Sequence, residues 1–596
     1  MAGFALFGAM LVAAPAKKPV VHASPSAQRK PAVGKVAPMA DEEAVSHWLK
    51  SLTPREKVAQ LVMVQFSGFT PRPKSREARK FAQLTSFEHV GGLVLINGPA
   101  GRPNAPDVAA LLNRLQKTAK VPYLVAGDFE RGLSMRIDGT TIFPSAMAFT
   151  ATGDHALARA EGMVTAKEAR ALGFHWIFSP DADVNNNPDN PIINTRSFGE
   201  DPAEVSRMVS AFIEGAHAIP GPRVMVTAKH FPGHGDTSTD THQNLAVIPG
   251  DRPRLEKIEW APFRSAINAG VDAVMTGHLA VPALDAPGLP ATLSTKIVNG
   301  TLRGDLGFQG IVVTDALQMT GLSQDFASGE ASVRALEAGA DVLLMPSDAT
   351  AAINAVVAAI RSGRLTQKRI DTSLQRVLMA KAKAGLGNPR VVDIGGIPAT
   401  VDTAENDALA EKVAERSVTL VRNQVGLLPL RTAGGPETAF YILAENRKGV
   451  EGQAMAAELR RRVPAAIVIQ VDAKMSDTEL DAATVQGSTA ARYVVAAFAS
   501  VAAFKGNPPL GGSLPRLVQS LIVGKKPVAL VAMGNPYLLR NFPEVAAYLT
   551  TYSTVPPSEV AVVKALFGEI PVTGKLPVTI PGLAKYGDGI ALPKRP

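Results

Sequence analysis

Between Leu61 and Met345 the chain carries eight short apolar runs, and six of them lead directly into ionisable residues. The runs are Leu61–Val64, Gly92–Ile96, Tyr123–Ala126, His175–Phe178, Val224–Val226, Ala273–Met275, Ile311–Val313 and Val342–Met345. Short continuous apolar runs without polar alternation are expected of strands covered on both faces in a parallel sheet. Helical periodicity fills the gaps, as at Asp107–Ala119, Leu157–Leu172 and Pro202–Ala216, the last with Asp201 as N-cap and Pro202 at the first helical position. Eight strand–helix units over roughly 350 residues fit an N-terminal (β/α)8 TIM-type barrel. An open doubly wound sheet has the same periodicity and is the structural rival.

The pattern loosens around Asn388-Pro389-Arg390 and Gly395-Gly396-Ile397-Pro398. The expected organisation is a barrel over 41–390, a linker over 391–410 and a C-terminal α/β layered-sheet domain over 411–596. That second domain has a helix at Asp402–Glu415 and runs at Val418–Val421, Ala439–Leu443, Ala466–Ile469, Tyr493–Ala497 and Val528–Ala532. Residues 1–40 read as a signal-like apolar segment, Gly3–Ala16, followed by a Pro/Lys-rich linker, so export to the periplasm or medium is expected and a cytoplasmic site stays open. Five of the nine net positive charges (Lys17, Lys18, Arg29, Lys30, Lys35) fall in that segment. The rest of the chain has no basic stripe with interleaved aromatics, so nucleic acid is not an expected partner. With no cysteine, disulfides and thiolate metal sites are excluded. No later apolar run is long enough to span a membrane, and the oligomeric state is not legible.

In a barrel, the carboxyl ends of all strands open on one face. Asp128 with Glu130 and Arg131, Asp181 with Asp183, Lys229 with His230, then His278, Asp315 and Asp348 follow six of the runs and are expected to converge. One such residue is an accident of strand termination; six mark a pocket. The densest stretch is Lys229–His242, where Pro232, Gly233 and Gly235 forbid a helix and a loop must follow. Asp240 and His242 stand two apart, close enough for a carboxylate to hold an imidazole nitrogen and fix its tautomer. Asp315 closes a Val-Val-Thr run; alone it reads as a helix cap. Paired with a separate proton donor, it supplies the minimum equipment for retaining glycoside hydrolysis. Gly233, Gly235 and the small residues Thr237–Thr239 are expected to leave the loop free to carry His242 in and out. A metal reading has ligand types in His230, His234, Asp236, Asp240 and His242 but no familiar zinc spacing. His234 is expected to tie the loop to its base, with His278 and Asp348 as rim candidates.

These motifs resemble glycoside hydrolase family 3, in particular its β-N-acetylglucosaminidase branch. The carrying segments are Lys229–Asp236 with Asp240-Thr241-His242, Asn190-Pro191 with Arg196–Asp201, and Val313–Met319. In the second half they are Lys526-Pro527 through Gly534-Asn535-Pro536-Tyr537, and Gly574–Val578. The resemblance runs from about residue 45 to 585. It implies Asp315 as nucleophile and His242 as acid/base oriented by Asp240. It also implies Asp128, Arg136, Arg196, Lys229 and His230 as ligands of a non-reducing N-acetylglucosamine, with no cofactor. The implied activity is exo-acting release of that sugar from peptidoglycan fragments or chitin oligomers by double displacement. The alternatives are a β-glucosidase or β-xylosidase using a second-domain Glu, an N-acetylglucosamine phosphorylase, and a silent glycan-binding protein. One departure is Asp128-Phe129-Glu130-Arg131-Gly132, where relatives commonly carry Asp-x-Glu-Gly-Gly.

Overall fold

A computed structural model of the chain describes residues 40–387, 390–430, 437–446, 449–500 and 510–595. The N-terminal apolar segment and Pro/Lys-rich stretch lie outside the described residues. The eight expected strands form one parallel sheet: Val62–Phe66, Gly92–Leu95, Leu124–Gly127, Trp176–Ile177, Met225–Phe231, Ala273–Thr276, Ile311–Thr314 and Leu343–Leu344. Each pairs with its successor through Ile311–Thr314, and Leu343–Leu344 returns to pair with Val62–Met63. Val342 bridges Val313, and the Thr314 side chain accepts from the Leu344 N–H at 3.0 Å. The sheet therefore closes on itself, which rejects the open doubly wound rival.

Between strands the chain is helical where the periodicity requires it. Pro202–His217 starts as expected, with Asp201 accepting from the Glu204 N–H at 2.7 Å. Its apolar stripe packs on His155–Ala171 closely enough that a Cβ on Gly215 would meet the Arg159 carbonyl oxygen at 1.8 Å. The fourth strand is shorter than its apolar run, only Trp176–Ile177, with the Trp176 indole donating to Thr227 at 2.6 Å.

The second sheet runs Thr419–Asn423, Ala547–Thr550, Val528–Gly534, Arg492–Ala499, Thr438–Ala444, Ile467–Asp472 across its width, the first pair antiparallel and the rest parallel. Both faces are covered: Ala439, Tyr441 and Leu443 enter one core, Phe440 and Ile442 the other. Ala547–Thr550 is a strand beyond those expected from the apolar runs. The stretch between the sheets contains the turn Ile394–Ala399 and the helix Ala404–Ser417, which begins where Thr403 accepts from the Asn406 N–H. Asp402 sits outside it at φ 55°, its N–H given to Glu168.

The two sheets share a seam. Met147, Ala148 and Ala151 of the helix Ala146–Ala151 pack into the second sheet's core. Thr579 donates to both oxygens of Glu200, through its hydroxyl at 2.6 Å and its N–H at 2.7 Å. Asn185 donates to the Tyr537 hydroxyl at 2.9 Å, and Gly199 lies so close to Pro577 that a Cβ would meet its carbonyl oxygen at 2.6 Å. Several of the recognised motifs, Ser197–Asp201, Asn535–Tyr537 and Gly574–Val578, thus meet at this seam. Among the described residues no helix is long and apolar enough to cross a membrane.

Candidate active site

The carboxyl ends of the barrel strands surround a cavity of about 1040 Å³. Asp128 follows the third strand, Lys229 and His230 lie in the fifth, and Asp315 follows the seventh; all four line it, with Arg136, Arg196 and His242. The expected convergence is therefore present for the ends of the third, fifth and seventh strands. From the second sheet come Glu451, Ser500 and Thr554. Glu451 and Ser500 follow Thr438–Ala444 and Arg492–Ala499, the neighbouring strands between which that sheet's strand order reverses. The crevice at such a reversal is where open α/β sheets receive ligands, and here it faces the open end of the barrel.

The cavity floor is a charge network. Lys229 Nζ lies 3.0 Å from Asp128 Oδ1 and 2.6 Å from Glu130 Oε1. Arg196 grips Glu130 with two bonds of 2.9 and 2.8 Å, and Arg136 donates to Asp128 at 3.0 Å. Burial works against the charge on Lys229, but Asp128, Glu130 and Asp181 outweigh it and raise its pKa. Burial likewise opposes the charge on Glu130, yet Arg196 and Lys229 hold its carboxyl well below the usual range. Five side chains thus fix one another as ions, leaving remaining donors and acceptors at known places for a polar ligand.

Asp183 holds the base of the loop. Its carboxylate accepts from the backbone N–H of His230 (3.1 Å) and of His234 (2.7 Å), and from His230 Nδ1 at 2.8 Å. Burial disfavours the charge on His230, but Asp183 overrides it and raises the His230 pKa. Asp183 was noted as a strand-end residue without this role; its signal was the Asp181-Ala182-Asp183 spacing. Asp181, Asp183 and His230 have ligand atoms near enough to hold a cation. The Asp183 oxygens are already committed and Arg196 and Lys229 lie beside Asp181, so the cluster reads as a support for His230 and burial pushes Asp181 up to about 7.

His242 is oriented as its spacing requires. Asp240 Oδ1 accepts from the His242 backbone N–H and from Nδ1, each at 2.9 Å. His234 ties the loop internally, with Nε2 3.1 Å from the Thr241 hydroxyl, and burial lowers its pKa to about 4. Two of the loop glycines lie against neighbouring chain. A Cβ on Gly235 would lie 1.6 Å from the Val184 carbonyl oxygen, and one on Gly233 (φ 122°) 2.6 Å from Glu259 Cβ. They allow close packing at the loop base, which the Asn190 amide reinforces by donating to the carbonyls of His234 and Gly235. At the tip, Gly321 abuts the carbonyls of Thr241 and Asn244.

Asp315 accepts from the Ala316 N–H at 2.7 Å. Burial opposes its charge, but His230, His278, the Ala316 N–H and His242 together hold its carboxyl below the ordinary range. His278 is not a rim residue: it is fully buried behind Asp315, bonded to Thr292 at 2.9 Å and to the Ala316 carbonyl at 3.0 Å. Asp348 is not in the cavity lining either; it caps the helix Ala349–Arg361 by accepting from Ala351 N–H.

Comparison with known proteins bears on this geometry. Residues 53–380 match the model of the glycosyl hydrolase family 3 N-terminal domain. A Cellulomonas fimi protein named β-N-acetylglucosaminidase/β-glucosidase is 32% identical over 516 residues, covering 83% of this chain and 89% of its own. Among solved structures, a family 3 β-N-acetylglucosaminidase from Paenibacillus sp. str. FPU-7 superposes with a TM-score of 0.79 at 32% identity, over 89% of this chain and 99% of that one. A β-glucoside phosphorylase also superposes at 0.79, with 26% identity, over 91% of this chain and 97% of its own. With a barrel matched over its length and a second sheet matched in place, this chain belongs to glycoside hydrolase family 3.

Proposed function

We propose that the protein is a retaining exo-β-N-acetylglucosaminidase. The observation that carries this reading is that Asp315 and His242, the latter held by Asp240, line one cavity at the carboxyl end of the barrel. Asp315 attacks the anomeric carbon while His242 gives a proton to the leaving oxygen. The glycosyl–Asp315 ester then loses its sugar to water, whose proton His242 takes back. Because Asp240 engages Nδ1, Nε2 is the nitrogen that exchanges the proton. Lys229, Arg136, Arg196, Asp128 and His230 hold the non-reducing sugar by its hydroxyls and acetamido group. The preferred substrates are peptidoglycan fragments or chitin oligomers; the terminal N-acetylglucosamine they share is in line with the names of the C. fimi and Paenibacillus relatives.

Two observations keep a second reading in view. A neutral imidazole adds no negative charge against an incoming anion, and a phosphorylase is among the similar structures. Phosphate would then replace water in the second step. Product analysis on N-acetylglucosaminyl disaccharides, with and without phosphate, tests both: free N-acetylglucosamine supports hydrolysis and its 1-phosphate supports phosphorolysis. Binding without turnover, unchanged by Asp315→Ala, would leave a glycan-binding protein. Faster release of nitrophenol from the β-glucoside than from the N-acetylglucosaminide would favour a β-glucosidase.

A further inference from the structure

Arg131 lines the cavity, and among the described residues no hydrogen bond or ion pair holds its guanidinium. Its placement is set by the tight turn that follows the third strand. Glu130 and Gly132 form a bridge, with Gly132 at φ 74° against Phe143 and the Thr141 carbonyl. Glu130 is thereby turned to Arg196 and Lys229, and Arg131 is left to the cavity.

The carboxylates around the cavity are engaged elsewhere. Asp128 is taken by Lys229 and Arg136, Glu130 by Lys229 and Arg196, and Asp315 by the Ala316 N–H; Glu451 accepts from the Glu445 N–H at 3.4 Å. The nearest cations offer no relief: Arg102 is bound to Asp138 at 2.8 Å and adds to the positive field. Burial, with Arg102 and Arg136 close by, lowers the Arg131 pKa to about 10, which still leaves it charged at neutral pH. Arg136 has an unspent donor as well, since its buried Nε–H finds no acceptor. A partly buried guanidinium without a protein partner keeps its donors open to a ligand in the cavity. Its planar fork of donors matches a carboxylate or phosphate in two parallel bonds. We propose that Arg131 is a specificity residue for an oxyanion brought by the reactants: a carboxylate on the leaving sugar, or inorganic phosphate.

This rests on the glycosidase reading and deepens it, because an Arg131–oxyanion contact would select among substrates or acceptors at the same cavity. The test compares wild type with Arg131→Gln and Arg131→Lys on two N-acetylglucosaminyl β-1,4 disaccharides. In one the leaving sugar carries a lactyl carboxylate; the other is its methyl ester. Inorganic phosphate is titrated in parallel.

If the oxyanion is the carboxylate, the ratio of kcat/KM for acid over ester falls about tenfold or more in Arg131→Gln and partly recovers in Arg131→Lys. If it is phosphate, that ratio holds while the KM for phosphate in forming the sugar 1-phosphate rises by a similar factor. Both quantities within about twofold of wild type in Arg131→Gln would overturn the proposal. Should wild type cleave neither disaccharide, the glycosidase reading fails separately. Calorimetric binding of the carboxylated disaccharide and of phosphate then decides: affinities equal in wild type and Arg131→Gln overturn the role of Arg131, and a loss of about tenfold for either sustains it.

Discussion

Asp315 and Glu130 are both carboxylates in the barrel mouth, and their neighbours give them different tasks. Asp315 keeps its charge because imidazoles and one backbone N–H face it. Its pKa is depressed, so it is ionised at every pH above the ordinary carboxylate range, and kcat/KM should show no acid limb from it above about pH 4. Asp315→Asn should reduce kcat/KM by about 10³-fold or more, because Asp128 and Glu130 in the same cavity are tied up by Lys229, Arg136 and Arg196. His242→Ala should cost about 10²–10⁴-fold on a disaccharide. It should cost much less in the glycosylation step for a dinitrophenyl glycoside, whose leaving group needs no proton; equal losses on both would remove His242 from the acid role. Glu130 is clamped between Lys229 and Arg196. Glu130→Gln leaves the buried Lys229 and the partly buried Arg196 each short of a partner and should destabilise the fold by about 3–5 kcal/mol near neutral pH. Because the folded-state pKa of Glu130 is depressed, that stabilisation is present above its unfolded value near 4.3 and is lost as the pH falls through the folded value. The gap in Tm between variant and wild type should therefore close in acid.

At the level of elements, the decisive piece is the loop from Pro232 to Asn244, pinned at both ends. Gly235 lies on Val184 at its base and Gly321 lies under Thr241 and Asn244 at its tip. Gly321→Ala would put a Cβ 2.6 Å from the Thr241 carbonyl and push the tip that carries His242. kcat should fall by about tenfold or more, since small misplacements of a reacting group cost that much, while Asp315 reactivity stays measurable with an activated glycoside. An unchanged kcat would mean the tip position tolerates wide movement. Much of this region was legible in the sequence, for clear reasons. Parallel strands buried on both faces must be apolar throughout, so their ends announce themselves. A two-residue spacing is enough for Asp240 to reach His242. The purpose of the glycines was not legible, because close approach to Val184 or Glu259 depends on residues distant in sequence. His278 and Asp348 misled for a related reason: a strand-end position does not say whether the side chain faces the cavity, a buried neighbour or the next helix.

At the scale of the molecule, the barrel and the second sheet act on one cavity. Glu451, Ser500 and Thr554 complete a wall whose remainder is barrel. Met147, Ala148 and Ala151 complete the second sheet's core, and Glu200 is clasped by Thr579. The sequence could show two domains but not this shared wall, because no local pattern records which strand ends face one another across a seam. Calorimetry of the full chain should show the two regions unfolding in one coupled transition. Glu200→Ala, which leaves the Thr579 donors unanswered, should lower that transition by the equivalent of about 1–3 kcal/mol. Two well-separated transitions, with the upper one unmoved in the variant, would show that the seam is not cooperative.

The mechanism turns on a covalent bond between Asp315 and the sugar. Incubation with a slowly turned-over 5-fluoro-N-acetylglucosaminyl fluoride, followed by intact mass and peptide mapping, tests it directly. The expected result is one glycosyl adduct, on the peptide containing Asp315 and absent from Asp315→Asn. A stoichiometric adduct on another residue, or release of the inverted anomer with no adduct, would contradict it.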